Sequence, residues 1–462
     1  MAIAGNLFHS TSTAAETLHR RITPTDKQFE DQKNRWNDLG EFLRGKLKEA
    51  TGYPIATWLQ GSYKFDTQIR PWNIGAEFDI DLGLYFQWAG EVEEGNFEPE
   101  ELKAIVQAAL ESYQADADND ATGVTEPKER CCRIRFAPDF HIDTPCYHLD
   151  PQQDARSLAT ESKGWEVSDP KAIYEWFKGK QPDALLRAKL RRTVRYLKMW
   201  SSLKIKEADR PSSILLTVLA AEAFDQIDLG QHVDDEDILE AVSGVIAARI
   251  SGSYVVWNPV NEDEDLNRLS HEQTEAFEAE IKGLEAIAVR ARVAGRRAVA
   301  AEIWAEAFDQ FFPMPEDNGE DEQTLVKGTA IALYGFDPRV EIVAVPRSNK
   351  NLSWSGTNQI KSLPKDCDIS FCLANAYQLP PGATIKWTVR NKGDEAADKN
   401  DLGHVAGNTD TVERHTEYNG DHAMDVSVFL GSQLIGRRRI AVTVNGPAAP
   451  ARNPPRRRIP GR

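Results

Sequence analysis

Cysteine is scarce in this chain, and no run of apolar residues reaches the length that spans a bilayer. Five cysteines among 462 residues are too few, and odd in number, for a disulfide framework, which suits a reducing compartment. Cys131 and Cys132 are adjacent and cannot close a metal site alone, and Cys367 and Cys372 lack partners at zinc spacing. With Cys146 they read as small buried hydrophobes. No stretch of eighteen apolar residues appears, so no transmembrane helix is expected. Met1–Thr13 lacks the basic start and apolar run of a secretory signal. These absences predict a cytoplasmic protein without membrane contact. Positive charge is also short. Lys and Arg number 55 against 72 Asp and Glu, for a net charge of −17. The tail from Ala451 to Arg462 holds several Arg and no acid, so the rest is more acidic still. Stable binding of nucleic acid needs net positive surface and is not expected here, a local basic groove apart.

What is present divides along the chain. The length predicts two or three domains. Thr23 to Ala50 opens on Thr-Pro-Thr-Asp and carries Phe29, Trp36, Leu39, Leu43 and Leu47 at helical spacing. Strands are expected within Pro54–Phe86 and over Cys132–Tyr147, the latter ended by Pro145, with a helix over Glu100–Ala117 between them. Residues 1–165 therefore form a mixed α/β lobe with a long N-terminal helix. Residues 166–315 read as a helical lobe. Helices are expected at Lys171–Lys178, Ala184–Leu203, Ser213–Phe224, Glu236–Arg249 and one long segment over Asn267–Ala307, with Trp257–Asp265 as a loop. Residues 316–339 are an acidic linker region. Residues 340–446 hold short alternating strands between turn signals such as Pro380-Pro381-Gly382 and Asn419-Gly420, which predicts a β-sandwich-like domain. Residues 447–462 are a basic tail expected to be disordered. The fold class is thus α/β followed by all-β.

Chemistry concentrates in two stretches, Leu59-Gln60-Gly61-Ser62-Tyr63 and Asp79-Ile80-Asp81-Leu82-Gly83. A Gly-Ser turn can wrap phosphates with backbone N–H groups and a hydroxyl. Carboxylates at i and i+2 of a strand share a face. They repel unless a cation lies between them, and a metal beside a phosphate cradle equips a site for phosphoryl or nucleotidyl transfer. Phe140-His141-Ile142-Asp143 offers a third carboxylate if its strand pairs with the first. Asp143 is the candidate and Asp139 its rival, while His141 reads as an ordinary strand histidine. Arg187, Arg191, Arg195 and Lys198 fall on one stripe of a helix that can line a cleft and neutralise a triphosphate. Ser213, at a helix start, can donate to phosphate.

Taken in order, these residues resemble the bacterial CD-NTases, the cyclic-oligonucleotide synthases of CBASS anti-phage signalling related to cyclic GMP-AMP synthase and oligoadenylate synthase. The matched segments are Gln60-Gly61-Ser62, Asp79-Ile80-Asp81, Ile142-Asp143-Thr144-Pro145, Trp165–Pro170, Arg195–Trp200 and Pro211-Ser212-Ser213. Lys386–Ala396 and Glu417–His422 resemble the AGS-C sensor domain fused to such synthases. The resemblance implies a bilobal polymerase-β-like nucleotidyltransferase. Asp79, Asp81 and Asp143 would be the catalytic carboxylates, holding two Mg²⁺ ions, with Mn²⁺ as an alternative. Gln60, Gly61, Ser62, Arg195, Lys198 and Ser213 would bind the nucleotide. Substrates would be ATP, GTP or other nucleoside triphosphates, the product a cyclic di- or trinucleotide, and the β domain would hold a regulatory protein or ligand. Two other functions are compatible with the same residues: a template-free transferase acting on RNA or protein, or a catalytically dead nucleotide sensor.

Overall fold

Alternation of apolar and polar residues builds the sheet that carries the site. In the computed structural model, which describes residues 3–12, 16–73, 75–116, 118–136, 140–230, 234–315, 335–431 and 433–449, this sheet belongs to the first of two units, Met1–Asp309 and Gln310–Arg462. Its strands are β1 (Ile55–Gln60), β2 (Phe78–Gln87), β3 (Ala121–Thr125), β4 (Cys132–Phe136), β5 (Phe140–Thr144), β6 (Cys146–Asp150), β7 (Ala155–Ala159) and β8 (Trp165–Val167). The longest of them, β2, takes β1 antiparallel on one edge and β5 then β6 parallel on the other. β4 runs antiparallel to β5, and β7 antiparallel to β6.

Pro145 interrupts the strand, as the sequence predicts, but does not finish it. Proline removes one ladder donor. Its carbonyl still accepts from Leu84 N at 2.9 Å, and pairing resumes at Cys146.

One face of this sheet is core. Phe78, Ile80, Leu82, Leu84 and Phe86 of β2 join Ile134, Phe140 and Ile142 there. The helix Asp26–Thr51 covers them with Leu39, Leu43 and Leu47, and Pro99–Gln114 with Leu102, Val106 and Leu110. Each such side chain contributes about 1.5–3 kcal/mol by leaving water. A Thr25–Gln28 capping box starts the first of these helices, and left-handed Gly52 stops it. With its apolar residues committed to the core, β2 must turn Asp79 and Asp81 to the opposite face.

The helical part of this unit comprises Pro170–Lys180, Ala184–Lys204, Ser213–Phe224, Asp235–Gly252, His271–Arg292 and Arg297–Phe308. The single helix expected over Asn267–Ala307 is two helices, parted at Gly295 with φ +71°. The expected loop at Trp257–Asp265 pairs as a two-stranded ribbon. The N-terminal segment, assigned from sequence to the α/β lobe, packs on the helices. Phe8 meets Tyr196 and Trp304 edge-on at centroid distances of 5.4 and 4.8 Å.

The second unit carries two sheets. One orders Trp354–Thr357, Val340–Pro346, Cys367–Leu373 and Thr411–His415. The other orders Gln359–Leu363, Gln433–Val444, Gly420–Leu430, Ala383–Arg390 and Val405–Gly407. Ile342, Phe371, Trp387, Val426 and Ile440 share one core. The acidic stretch 316–321 and the tail from 450 lie outside the described residues, as does Asp139.

Candidate active site

Strand register places the polar residues of three neighbouring strands in two rows. On the face away from the core, Arg133 of β4 pairs with Asp143 of β5, which pairs with Asp81 of β2. One step along, Arg135 pairs with His141, which pairs with Asp79. The far side of Asp81 pairs with Gln60 at the end of β1, so the Gly61-Ser62 turn begins where the carboxylates lie. Gly61 has φ +57°, and a Cβ there would stand 1.9 Å from Asp81 Oδ2. Only glycine allows that conformation and that approach together.

The charges constrain one another. The Arg133 guanidinium grips Asp143 with two bonds, Nε to Oδ1 at 2.5 Å and Nη2 to Oδ2 at 2.7 Å. His141 Nδ1 bonds Glu77 Oε2 at 2.7 Å, and its Nε2 lies 2.9 Å from Asp79 Oδ1. Burial, then the Asp79 and Asp143 charges, push the Asp81 carboxyl well above the usual range. Asp79 goes the other way. Burial raises it, but His141, Arg133 and Lys198 outweigh that and hold it below its ordinary value. Arg133 and His141 thus engage Asp143 and Asp79, while Asp81 takes the repulsion of both. Single ligand atoms from Asp79, His141 and Asp143 all fall within 4.8 Å of one another, a spacing that fits a divalent ion.

The cluster stands at a cleft of about 990 Å³. Asp79, His141, Arg133 and Arg135 line its sheet side together with Ser62. Across from them are Lys198, Ser201 and Ser202 of the helix Ala184–Lys204, and Ser213 of the next helix. Lys198 Nζ donates to Thr67 O at 3.1 Å. Burial pulls its pKa down to about 8, with the Arg195 charge in the same sense and Asp79 and Asp81 opposing.

Two family models match the chain. Residues 55–147 match the cyclic GMP-AMP synthase DncV-like nucleotidyltransferase domain, and residues 328–445 the adenylyl/guanylyl and SMODS C-terminal sensor domain. The chain is thus similar to the DncV-like nucleotidyltransferases over the first of these segments and to the sensor domain over the second. A curated relative, the cyclic GMP-AMP synthase of Escherichia albertii, is 28 % identical over 95 % of this chain and 96 % of its own. Among solved structures, Escherichia coli DncV in its 3'-deoxy GTP-bound form aligns with TM-score 0.58 and 21 % identity, over 66 % of this chain and 96 % of that one. Vibrio cholerae DncV in complex with the linear intermediate 5' pppA(3',5')pG aligns with TM-score 0.54 and 19 % identity, over 68 % and 97 %. The polymerase-β-like fold of this DncV-like chain, and its class as a nucleotidyltransferase, follow from these likenesses.

In this DncV-like cleft the residues singled out from sequence separate into two groups. Asp79, Asp81 and Asp143 come together beside Gly61 and Ser62, with Lys198 and Ser213 on the facing wall. Gln60 and Arg195 do not join them. The Gln60 amide donates to Tyr85 OH at 2.8 Å and accepts from Tyr147 OH at 3.1 Å, filling the space that Gly83 leaves open. Arg195 is buried against Asp66 Oδ1 at 2.5 Å and Gln68 O at 3.3 Å. The remaining arginines of the basic stripe are also engaged elsewhere, Arg187 with Gln181 O and Pro182 O, and Arg191 with Asp66. Arg191, Arg195 and Lys198 therefore brace the segment after Ser62, and of the four cations Lys198 alone lines the cleft.

Sequence reasoning missed Arg133, Glu77, Trp72 and Arg210. Arg133 and Arg135 carried a signal, an i, i+2 basic pair one strand from an i, i+2 pair of His and Asp. Trp72 carried none. It lies in the loop before β2, with the Arg210 guanidinium over its ring at 4.7 Å. His141, expected to be an ordinary strand histidine, sits inside the acidic cluster.

Proposed function

We propose that the chain joins nucleoside triphosphates, ATP and GTP being the first candidates, into a cyclic di- or trinucleotide that serves as a second messenger of anti-phage signalling. The observation that carries this reading is the register of β2 and β5, which sets Asp81 beside Asp143 and Asp79 one step away, against the Gly61-Ser62 turn. The two named DncV structures, one with 3'-deoxy GTP and one with a linear dinucleotide intermediate, support the substrate class. A cleft of about 990 Å³ is at the large end for small-molecule sites, which suits more than one nucleotide.

Asp79, Asp81 and Asp143 would hold Mg²⁺, two ions in the resemblance, and their mutual repulsion is what a cation would relieve. Bound there, divalent metal supplies charge neutralisation at the phosphates and lowers the pKa of the attacking ribose hydroxyl. The remaining work belongs to the protein. Ser62 and the Gly61 turn orient the phosphate tail, Lys198 and Ser213 bind it from the opposite wall, and Arg133 fixes Asp143. The half-buried Trp72 ring, stiffened by Arg210, offers a stacking face for a base. Five free cysteines suit a reducing cytoplasm. Among the described residues no helix is long and apolar enough to cross a membrane. The β unit is assigned to regulation by a ligand or a partner protein.

Incubation with labelled ATP and GTP, followed by phosphatase and mass spectrometry, tests the reading. A small phosphatase-resistant product is expected. Label found only on added RNA or on protein would replace cyclisation by transfer to a macromolecule, and no incorporation would leave a nucleotide sensor.

A further inference from the structure

One arginine of the second unit faces inward and meets no acid. On the strand Thr411–His415, Val412 and Arg414 turn toward the core, while Thr411, Glu413 and His415 are exposed. Arg414 pairs across its sheet with Ile369, a core residue. Its Nη1 donates to Glu413 O at 2.5 Å and its Nη2 to Ala406 O on a strand of the other sheet, while its Nε is buried without a partner. Two carbonyls occupy part of the guanidinium's five donors and supply no counter-ion. Among the described residues no carboxylate comes within ion-pair distance of it. Burial lowers its pKa, and no neighbouring charge opposes the shift. A half-buried cation left in this way is unfavourable.

Arg414 lines a cavity of about 100 Å³. Ile369 and Phe371 wall the cavity from one sheet, and Met424, Val442 and Val444 from the other. The two acids that also line it are matched to histidines, Asp401 Oδ1 lying 3.8 Å from His404 Nδ1 and Glu417 Oε2 3.2 Å from His415 Nε2. The space is well under the roughly 300 Å³ at which sites for drug-sized ligands begin, so a nucleotide does not fit. A dry cavity of about 150 Å³ admits benzene, so this one suits a body of a few carbon atoms. We propose that the cavity between the two sheets binds a small monocarboxylate, its hydrocarbon part against Phe371, Met424 and Val442 and its carboxylate on Arg414. A planar guanidinium fork matches a carboxylate. The inference gives the regulatory ligand of the proposed function a site and a chemical class. It rests on that reading for its effect on product formation, and binding can be tested apart from it.

The test uses the full chain with ¹³C-methyl-labelled methionine, without nucleotide. The chain has four methionines, and Met424 is the one that lines the cavity. Butanoate and benzoate are the probes, with butanamide and benzamide as uncharged counterparts of nearly the same shape. A saturable shift of the Met424 methyl signal is expected with at least one of the carboxylates, with Met199 and Met314 unmoved. The matching amide should bind at least about tenfold more weakly, and Arg414→Gln should weaken the carboxylate by a similar factor, the amount that a hydrogen bond to a charged group contributes. Arg414→Lys, which keeps the charge, should lose less. No Met424 shift with either carboxylate overturns the proposal. So does equal affinity for acid and amide, or unchanged carboxylate affinity in Arg414→Gln. If Arg414→Gln fails to fold, the comparison of acid with amide in the parent decides alone. A saturable Met424 shift without a nucleotide product would retain the site and sink the proposed function. A nucleotide product without the shift would do the reverse.

Discussion

Single atoms decide how tightly the acidic cluster meets the Gly61-Ser62 turn. Gly61→Ala would add a methyl group 1.9 Å from Asp81 Oδ2 at a φ of +57°. The strained backbone should cost about 1–3 kcal/mol of stability, and displacement of Asp81 should cut turnover by more than that loss explains. A melting curve beside kcat/KM separates the two effects. Lys198 gives a pH signature. Burial lowers its pKa to about 8, so the ammonium is intact below that pH and is lost as pH rises through it. KM for the triphosphate should therefore climb above about pH 8, while Lys198→Arg, charged throughout, should flatten the rise. A KM profile with the same alkaline rise in Lys198→Arg would place the titration on another group.

At the scale of strands, β4 supplies the grip on β5. Arg133→Ala should lower turnover by about 10–100-fold by releasing Asp143, and Arg133→Lys should recover only part, since an ammonium keeps the charge but not the two-pronged contact. Steady-state kinetics on both variants checks this. The alternation of β2, β4 and β5 was legible in the sequence, because a strand with one face in the core fixes which residues share the other. The pairing that joins Asp143 to Asp81 was legible only as a condition. The fates of Gln60 and Arg195 were not legible. Gln60 stands next to the Gly61-Ser62 turn in sequence, yet the gap above Gly83 and two tyrosines from different strands capture its amide. Arg195 shares a helical stripe with Lys198, but its nearest acid, Asp66, comes from a turn 129 residues away. Tertiary partners of that kind leave no mark on local spacing. Helix ends were read closely where a cap stood, as at Thr25, and poorly at Gly295, where one glycine outweighed a continuous helical pattern.

For the whole molecule, the second unit has its own acid-sensitive lock. Asp425 is 2 % exposed and held by three arginines, by Arg390 Nε at 2.6 Å, Arg439 Nε at 2.8 Å and Arg437 Nη2 at 3.1 Å. Burial pushes its carboxyl up, but Arg439, Arg437 and Arg390 carry it well below the ordinary carboxylate range. A depressed folded pKa stabilises the unit above the ordinary value near 3.8, and that stability is lost as pH falls below it. Hydrogen exchange read by mass spectrometry should show residues 340–444 opening on acidification. Asp425→Asn should open the same peptides at neutral pH, at a cost of about 3–5 kcal/mol. The proposed chemistry lies in the first unit, and one substitution tests it most directly. Product formation from ATP and GTP, compared between the parent and Asp143→Asn at equal folded concentration, should fall by at least about 100-fold in the variant. An undiminished yield would mean that β5 contributes nothing to the reaction and that the site assembled by β2, β5 and the Gly61-Ser62 turn is not where nucleotides are joined.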